Sequence, residues 1–313
     1  MYSVSVVIPS YNRPDFLRRA ILSITRQTCL PTELVVVLRE SDFASHQIVS
    51  DTKKCVGELP IRVASVTEPG FLPPIYKGAE EVTGDIVAFM DDDAEAHQNW
   101  LEKLLLHYDD PMVGGVGGRY VNYFDGKKAY YPPAKKVGHI TWFGKPIGNQ
   151  YRDTTFLRPR DVQFLIGGNM SYRLSIFRQA LPDRVLGRHV AFHWEMDVGL
   201  NIQRRGHRIV FDPSIRVDHH SAPRAQEGMR SVNAEGIYWS NFNYAYLMRR
   251  HLTRPRFFAY LVYTTTIGWS DSPGLLKMLI GLIRLRPVSI SNVLWPSIRG
   301  RYAGLFHPVY SSR

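Results

Sequence analysis

Cysteine is nearly missing from this chain. Cys29 and Cys55 are the two in 313 residues, and no Cys/His cluster has zinc-ligand spacing, which argues against a disulfide framework or a structural zinc site and fits a reducing compartment. Apolar runs long enough to cross a bilayer are missing too: Phe257 to Trp269 and Leu275 to Ile283 are strongly apolar, yet each falls short of the roughly 20 residues needed. The start of the chain runs straight into Val4-Ser5-Val6-Val7-Ile8-Pro9 without the basic flank and cleavage site of a signal peptide, so a cytoplasmic protein is expected. No zinc finger, aromatic RNA-binding box, internal repeat or low-complexity tract is visible, and nucleic acid is not expected as a partner.

What is present is a globular composition, with 44% hydrophobic and 12% aromatic residues and a formal net charge of +11. The apolar share is enough for a sizeable core, organised as one large α/β unit or two lobes sharing a cleft. The positive balance points to an anionic partner: a nucleotide diphosphate or an acidic membrane surface, once nucleic acid is set aside.

The first third alternates short β-rich runs with helical spacing. Val4 to Ile8, Leu34 to Leu38, Ile61 to Val66 and Ile86 to Met90 read as strands, and Leu17, Ala20, Ile21 and Ile24 as one helix face. That order predicts a mostly parallel sheet flanked by helices. Pro14 suits the first turn of a helix that opens from the loop Pro9-Ser10-Tyr11-Asn12-Arg13. Ligands of such sheets lie beyond the carboxyl ends of the strands, which singles out this loop and the triplet Asp91-Asp92-Asp93. Residues 114 to 168 read as longer loops that shape a substrate site, helices are expected again from about Ser171, and a short strand from His207 to Phe211 precedes a mostly helical last eighty residues. In that last part the apolar runs are flanked by Arg249, Arg250, Arg254, Arg256, Arg284 and Arg286, which fits either core packing or an amphipathic helix on a membrane surface.

Three adjacent aspartates after an apolar strand repel one another and call for a counter-charge. Hard oxygen ligands there suit Mg²⁺ or Mn²⁺ bridging to substrate phosphates; a solvated acidic turn ahead of a helix is the plainer alternative.

Several ordered motifs set this triplet in a context. They are Val6-Val7-Ile8-Pro9-Ser10-Tyr11-Asn12-Arg13, Glu33-Leu34-Val35-Val36-Val37, and Thr83 to Asp93. Gly167-Gly168-Asn169-Met170-Ser171 and Trp194-Glu195-Met196-Asp197 follow, then Gly206 and Phe211-Asp212-Pro213 up to His219. Together they span residues 4 to 220 and resemble glycosyltransferase family 2, sugar transferases of the GT-A fold. The resemblance implies a nucleotide-sugar-binding half over residues 1–112, an acceptor-binding and catalytic half over 113–225, and a helical C-terminal region over 226–313. It implies a donor site of Pro9, Tyr11, Arg13, Asp91 and Asp92, with Lys77 supplying a positive charge where relatives often have an Arg-Asn pair. A divalent ion is implied on Asp91 and Asp93, with His219 as a further ligand, although His220 beside it competes for that role. Glu195 is implied as the base that deprotonates the acceptor hydroxyl, with Asp197 in reserve; Gly168, Asn169 and Trp194 fall on the acceptor side.

One departure bears on the donor. Relatives place an acidic pair after the second strand to contact the base, whereas here Leu38-Arg39-Glu40-Ser41-Asp42 follows, leaving Glu40 or Asp42 as substitutes. The expectation is an inverting transferase moving a sugar from a nucleoside-diphosphate donor, UDP ahead of GDP or dTDP, to a glycan or lipid-linked acceptor at the cytoplasmic face of a membrane. Two rivals are weaker. A nucleotidyltransferase would carry a Gly-rich loop after the first strand, and Ser10 to Pro14 has no glycine; an inactive sugar-nucleotide or membrane-binding module would not need Asp91, Asp93 and Glu195 together.

Overall fold

The computed structural model describes residues 2–57, 59–187, 192–222, 233–270, 272–283 and 290–309. Arg284 and Arg286 lie outside the described residues. The chain divides into a larger unit, residues 1–139, 148–182 and 195–225, and a smaller one, residues 140–147, 183–194 and 226–313.

The larger unit is built on a mostly parallel sheet. Its parallel strands are β1 (Val4–Ser10), β2 (Glu33–Arg39), β3 (Ile61–Val66), β4 (Ile86–Phe89), β6 (Val113–Phe124) and β12 (Arg208–His219). Between and beside them run β10 (Arg160–Val162) and β11 (Met170–Arg173), both antiparallel, giving the spatial order β10-β12-β6-β11-β4-β1-β2-β3. The short strands β5 (Ala94–Ala96) and β7 (Lys127–Lys128) pair with β12 and β6, and β8 (His139–Ile140) pairs with β9 (Pro146–Ile147). Leu34 through Leu38 are fully buried, as a strand covered on both faces requires, which is why the run is apolar without alternation.

The first helix, α1 (Pro14–Ile24), starts on the predicted proline and buries the predicted face of Leu17, Ala20, Ile21 and Ile24. It is followed by α2 (Phe43–Cys55), α3 (Leu72–Glu81), α4 (Trp100–Leu105), α5 (Leu174–Gln179) and α6 (Trp194–Arg204).

Three sequence expectations are corrected. Residues 113–124 form the long strand β6 rather than a loop: the glycines there serve close packing, and a side chain on Gly118 would strike the backbone oxygen of Ile215 on β12. Ser171 lies inside β11, and the helix starts only at Leu174, because Ser171 Oγ and Met170-Ser171-Tyr172 are used to join β4 to β6. The short strand expected at 207–211 runs on to His219, and that extension carries the last predicted metal ligand into the sheet edge.

The open edge of the sheet is pinned by one buried carboxylate, Glu33 at the start of β2. Its Oε1 accepts from Ser5 Oγ at 2.7 Å and from Thr83 N and Oγ1 at 2.8 and 2.9 Å, and its Oε2 accepts from Arg62 Nη2 at 2.7 Å. One side chain thus ties β1, β3 and the turn before β4. Burial alone raises its pKa, but the bonds from Arg62, Ser5 and Thr83 outweigh it and leave the carboxyl at about 2.

The smaller unit contains α7 (Ala234–His251), α8 (Arg254–Thr266), the two-residue strands β13 (Gly268–Trp269) and β14 (Ser272–Pro273), α9 (Leu275–Ile283) and α10 (Trp295–Phe306). Asp183 anchors α7 by accepting from Tyr246 Oη and Arg250 Nη1, each at 2.6 Å. Arg301 of α10 is buried and donates to the carbonyls of Thr264 and Pro273 at 2.6 and 3.2 Å, holding the end of α8 and the β13–β14 pair. Among the described residues no helix is long and apolar enough to cross a membrane.

Because the folded pKa of Glu33 lies below its ordinary 4.5, its ionised form contributes stability that is complete above that value and lost as pH falls toward 2. Glu33→Gln should cost about 2–3 kcal/mol at pH 7. Denaturant unfolding measured from pH 7 to pH 2 should show the difference between wild type and variant shrinking across the acid part of that range.

Candidate active site

The parallel strands all end at one edge of the sheet, and the order places β4 beside β1 while the chain passes elsewhere after each. That neighbour pair is a switch point, where the loops leaving two adjacent strands diverge and open a crevice. Ser10 closes β1 and Asp91, Asp92 and Asp93 follow β4, so hydrogen bonds across the switch join residues more than 75 positions apart.

Asp92 is the innermost of the three. Its Oδ2 accepts from Ser10 Oγ at 2.7 Å and its Oδ1 from Arg13 Nη1 at 2.9 Å, and the same guanidinium nitrogen reaches Asp93 Oδ2 at 3.3 Å. Burial pushes Asp92 up to about 6, against the pull of Arg13 and with a further push from the charge on Asp93. Burial pushes Asp93 the same way, but His219, Arg13 and the Ala222 amide overcome it and hold its carboxyl below the usual range. Arg13 is therefore the internal counter-charge that the triplet required. Asp92, expected on the donor, is spent on Ser10 and Arg13 and acts by positioning Arg13.

Asp91, Asp93 and His219 each turn one ligand atom toward a common point, all within 4.8 Å of one another. Tyr120 on β6 donates to Asp91 Oδ2 at 2.9 Å, and its ring stacks on His219 with centroids 4.4 Å apart. His219 Nε2 lies 3.1 Å from Asp93 Oδ1, and its Nδ1 lies 3.1 Å from Asn122 Oδ1. Nδ1 is held beside an amide oxygen while Nε2 faces the Asp93 carboxylate, and a ring nitrogen fixed by an amide oxygen is the usual support of a metal-bound imidazole. Two carboxylates and one imidazole fit Mn²⁺ by their chemistry. His220 is turned elsewhere: its Nε2 faces Glu95 at 3.3 Å and its ring stacks on Tyr123, so His219 is the histidine of this cluster.

Gly168 links the cluster to the second predicted carboxylate. Its φ of +89° favours glycine, and any side chain there would collide with Tyr120 and with Asp91 Oδ2. The adjoining Gly167 N–H donates to Glu195 Oε1 at 3.2 Å. Glu195 stands in the first turn of α6, so one Gly-Gly turn touches both the cluster and the predicted base.

Other sequence expectations do not meet at this point. Asp197 and Trp194, both in the first turn of α6, are fully buried. Asn169 is 1% exposed and stitches the sheet, donating from Nδ2 to Arg119 O at 2.8 Å and accepting at Oδ1 from Trp100 Nε1 at 2.8 Å, so it is structural rather than acceptor-binding. Lys77 pairs with Glu81 at 2.7 Å and Glu80 at 3.5 Å within α3. Asp42, a candidate base contact, caps α2 through Ser45 N at 3.1 Å and accepts from Asn12 N at 2.6 Å. Leu38 is fully buried and Glu40 exposed. Pro9 lies in β1, paired with Val37, and the Tyr11 ring lies under the Arg39 guanidinium at 4.3 Å. Sequence reading missed Ser10, Tyr120 and Asn122. Ser10 sat inside a quoted motif, whereas Tyr120 and Asn122 lie in the stretch read as loop and gave no signal until β6 placed alternate residues on one face.

The family model described as glycosyl transferase family 2 matches residues 5–181, more than half of the chain. Among curated relatives, the glucosyl-dolichyl phosphate glucuronosyltransferase of Haloferax volcanii is 28% identical over 227 residues, covering 69% of this chain and 68% of its own. Among solved structures, GalNAc-T7 with UDP, GalNAc and Mn²⁺ superposes with a TM-score of 0.61 at 17% identity, over 80% of this chain and 51% of that one. A mannosyltransferase from Pyrobaculum calidifontis with GDP-Man and Mn²⁺ gives 0.55 at 14% identity, over 96% and 74%. At those identities the two structures speak to the fold, which is GT-A. The family match, the ordered motifs and the Asp91/Asp93/His219 cluster agree, and the chain belongs to glycosyl transferase family 2.

Proposed function

We propose that the protein is a metal-assisted, inverting glycosyltransferase that takes a sugar from a UDP-linked donor to a hydroxyl of a lipid-linked glycan. The observation that carries this reading is the convergence of Asp91, Asp93 and His219 within 4.8 Å next to the Gly167 amide that holds Glu195.

A divalent ion on that cluster supplies positive charge against the departing nucleoside diphosphate. The chain's own residues do the rest. Tyr120 and Asn122 hold Asp91 and His219 in place through the bonds given above, so ligands arrive already oriented. Arg13 keeps Asp93 ionised and adds positive potential at the crevice, where a diphosphate is bound. Tyr11 offers its second ring face to a nucleobase. Glu195 takes the proton from the acceptor hydroxyl as that oxygen bonds to the anomeric carbon and the bond to the diphosphate oxygen breaks. A single carboxylate acting as base, with direct attack of the acceptor oxygen on the anomeric carbon, gives inversion.

The acceptor reading draws on two supports. The Haloferax volcanii relative is named for a dolichyl-phosphate-linked sugar, and twelve of the twenty-one large apolar side chains exposed among the described residues belong to the smaller unit. Five of them, Leu275, Leu276, Leu279, Ile280 and Ile283, are on α9 alone. Globular monomers rarely expose such a helix face, and Lys277 on the same helix suits an anionic lipid surface. On this reading the protein works at the cytoplasmic face of a membrane.

Titration calorimetry should show UDP binding in the presence of Mn²⁺, stronger than GDP or dTDP, and lost in Asp93→Ala. Failure of every nucleotide to bind would overturn the donor site. Glu195→Gln should leave UDP affinity within about twofold and lower kcat by roughly 10²–10⁴; a larger change in nucleotide binding than in turnover would remove Glu195 from the chemistry. Leu279→Glu with Ile283→Glu should abolish co-flotation with anionic liposomes while Mn²⁺-dependent UDP binding persists, and unchanged flotation would exclude α9 as the membrane contact.

A further inference from the structure

The smaller unit contains a cavity of about 580 Å³ that the transfer chemistry does not use. Lys145, His193, Ser240, Tyr244, Trp269 and Lys277 are among its lining residues, and all belong to that unit. Its volume is in the range that takes a small organic ligand.

The lining has a definite chemistry. Two lysines contribute positive charge, and no carboxylate appears among the described lining residues. Lysine is a point-charge partner for phosphate. The opposite character comes from aromatic rings: Tyr244 meets Trp269 edge-on with centroids 5.4 Å apart, and Tyr263 stacks on Trp269 at 6.4 Å. Such faces take the C–H side of a sugar ring. Ser240 and His193, 3.1 Å apart, add groups able to bind hydroxyls. His193 adopts φ +67°, a left-handed conformation that costs a non-glycine residue about 1–3 kcal/mol and concentrates at ligand clamps. Its ring is held edge-on against Tyr244 at 5.1 Å.

Two of the helices that form this cavity also carry the exposed apolar side chains. Ile267 lines it at the end of α8 and Lys277 lines it from α9, between the exposed Leu276 and Leu279. A ligand with a sugar, a phosphate and an apolar tail matches cationic wall, aromatic wall and apolar face together.

We propose that this cavity binds the hexose-phosphate end of a lipid-linked glycan, as a recognition site belonging to the smaller unit and separate in its residues from the Asp91/Asp93/His219 cluster. The proposal rests on the lipid-linked acceptor reading given above. It concerns the phosphorylated sugar, which a soluble hexose phosphate also presents.

The test is calorimetric titration of the full chain with glucose 1-phosphate, methyl glucoside, inorganic phosphate and glucose phosphate carried on a short isoprenyl chain. Glucose 1-phosphate should bind wild type and Asp93→Ala equally. Lys145→Ala with Lys277→Ala should weaken it at least about tenfold while keeping Mn²⁺-dependent UDP binding, which reports that the fold is intact. Trp269→Leu should weaken glucose 1-phosphate more than inorganic phosphate, since it removes the sugar wall alone. The isoprenyl-linked compound should bind more tightly than glucose 1-phosphate, and equal binding would overturn the lipid-linked source. No binding of either sugar phosphate, unchanged affinity in the double lysine variant, or loss of binding in Asp93→Ala would overturn the site. Loss of UDP binding by wild type with retention of glucose 1-phosphate would instead sink the transferase donor site and leave the cavity standing.

Discussion

Three consecutive aspartates at the end of a fully apolar strand concentrate negative charge where water is scarce, and the relief of that charge organises the larger unit. Arg13 provides the internal part of it. Its guanidinium reaches Asp92 and Asp93 at 2.9 and 3.3 Å, and these bonds draw the loop after β1 onto the loop after β4. Burial works against the charge on Arg13, but the neighbouring carboxylates hold its pKa above the ordinary value, so the pair is mutually dependent. An ion pair of this kind is costly to break from one side, which fixes the geometry of the crevice before any ligand enters.

The remaining charge is left facing outward. Asp91 and Asp93 converge with His219, and Tyr120, Asn122 and the tight turn at Gly168 keep those three side chains from spreading. Tyr120 and Asn122 come from β6, Gly168 from the turn before β11 and His219 from β12, while the aspartates follow β4, so the cluster exists only once these four strands lie side by side. Long-range pairing of this kind makes the site a property of the sheet rather than of any one loop.

The smaller unit follows another logic. Its helices bury Tyr244, Tyr246 and Tyr260 and secure them through buried polar anchors, Asp183 with Arg250 and Arg301 with backbone carbonyls. What these helices do not bury is as informative. The apolar side of α9 stays exposed while Lys277 of the same helix lines a cationic, aromatic cavity, which sets an apolar surface and a positive charge on one element.

Sequence by itself determined the parallel sheet and the first helix with its proline start, and it singled out the run of aspartates, because hydrophobic period and that run are local and survive without any partner strand. It also named Glu195. Tertiary structure decided the rest. The glycines of β6 read as loop, since nothing in one chain segment reveals a neighbouring backbone that excludes side chains. Asn169 and Asp42 looked like ligand contacts, yet their polar atoms are consumed by Trp100, Arg119, Ser45 and Asn12. Only the register of β12 against β6 could choose His219 over His220, because adjacent residues of a strand point to opposite faces and one of them alone faces Asp93.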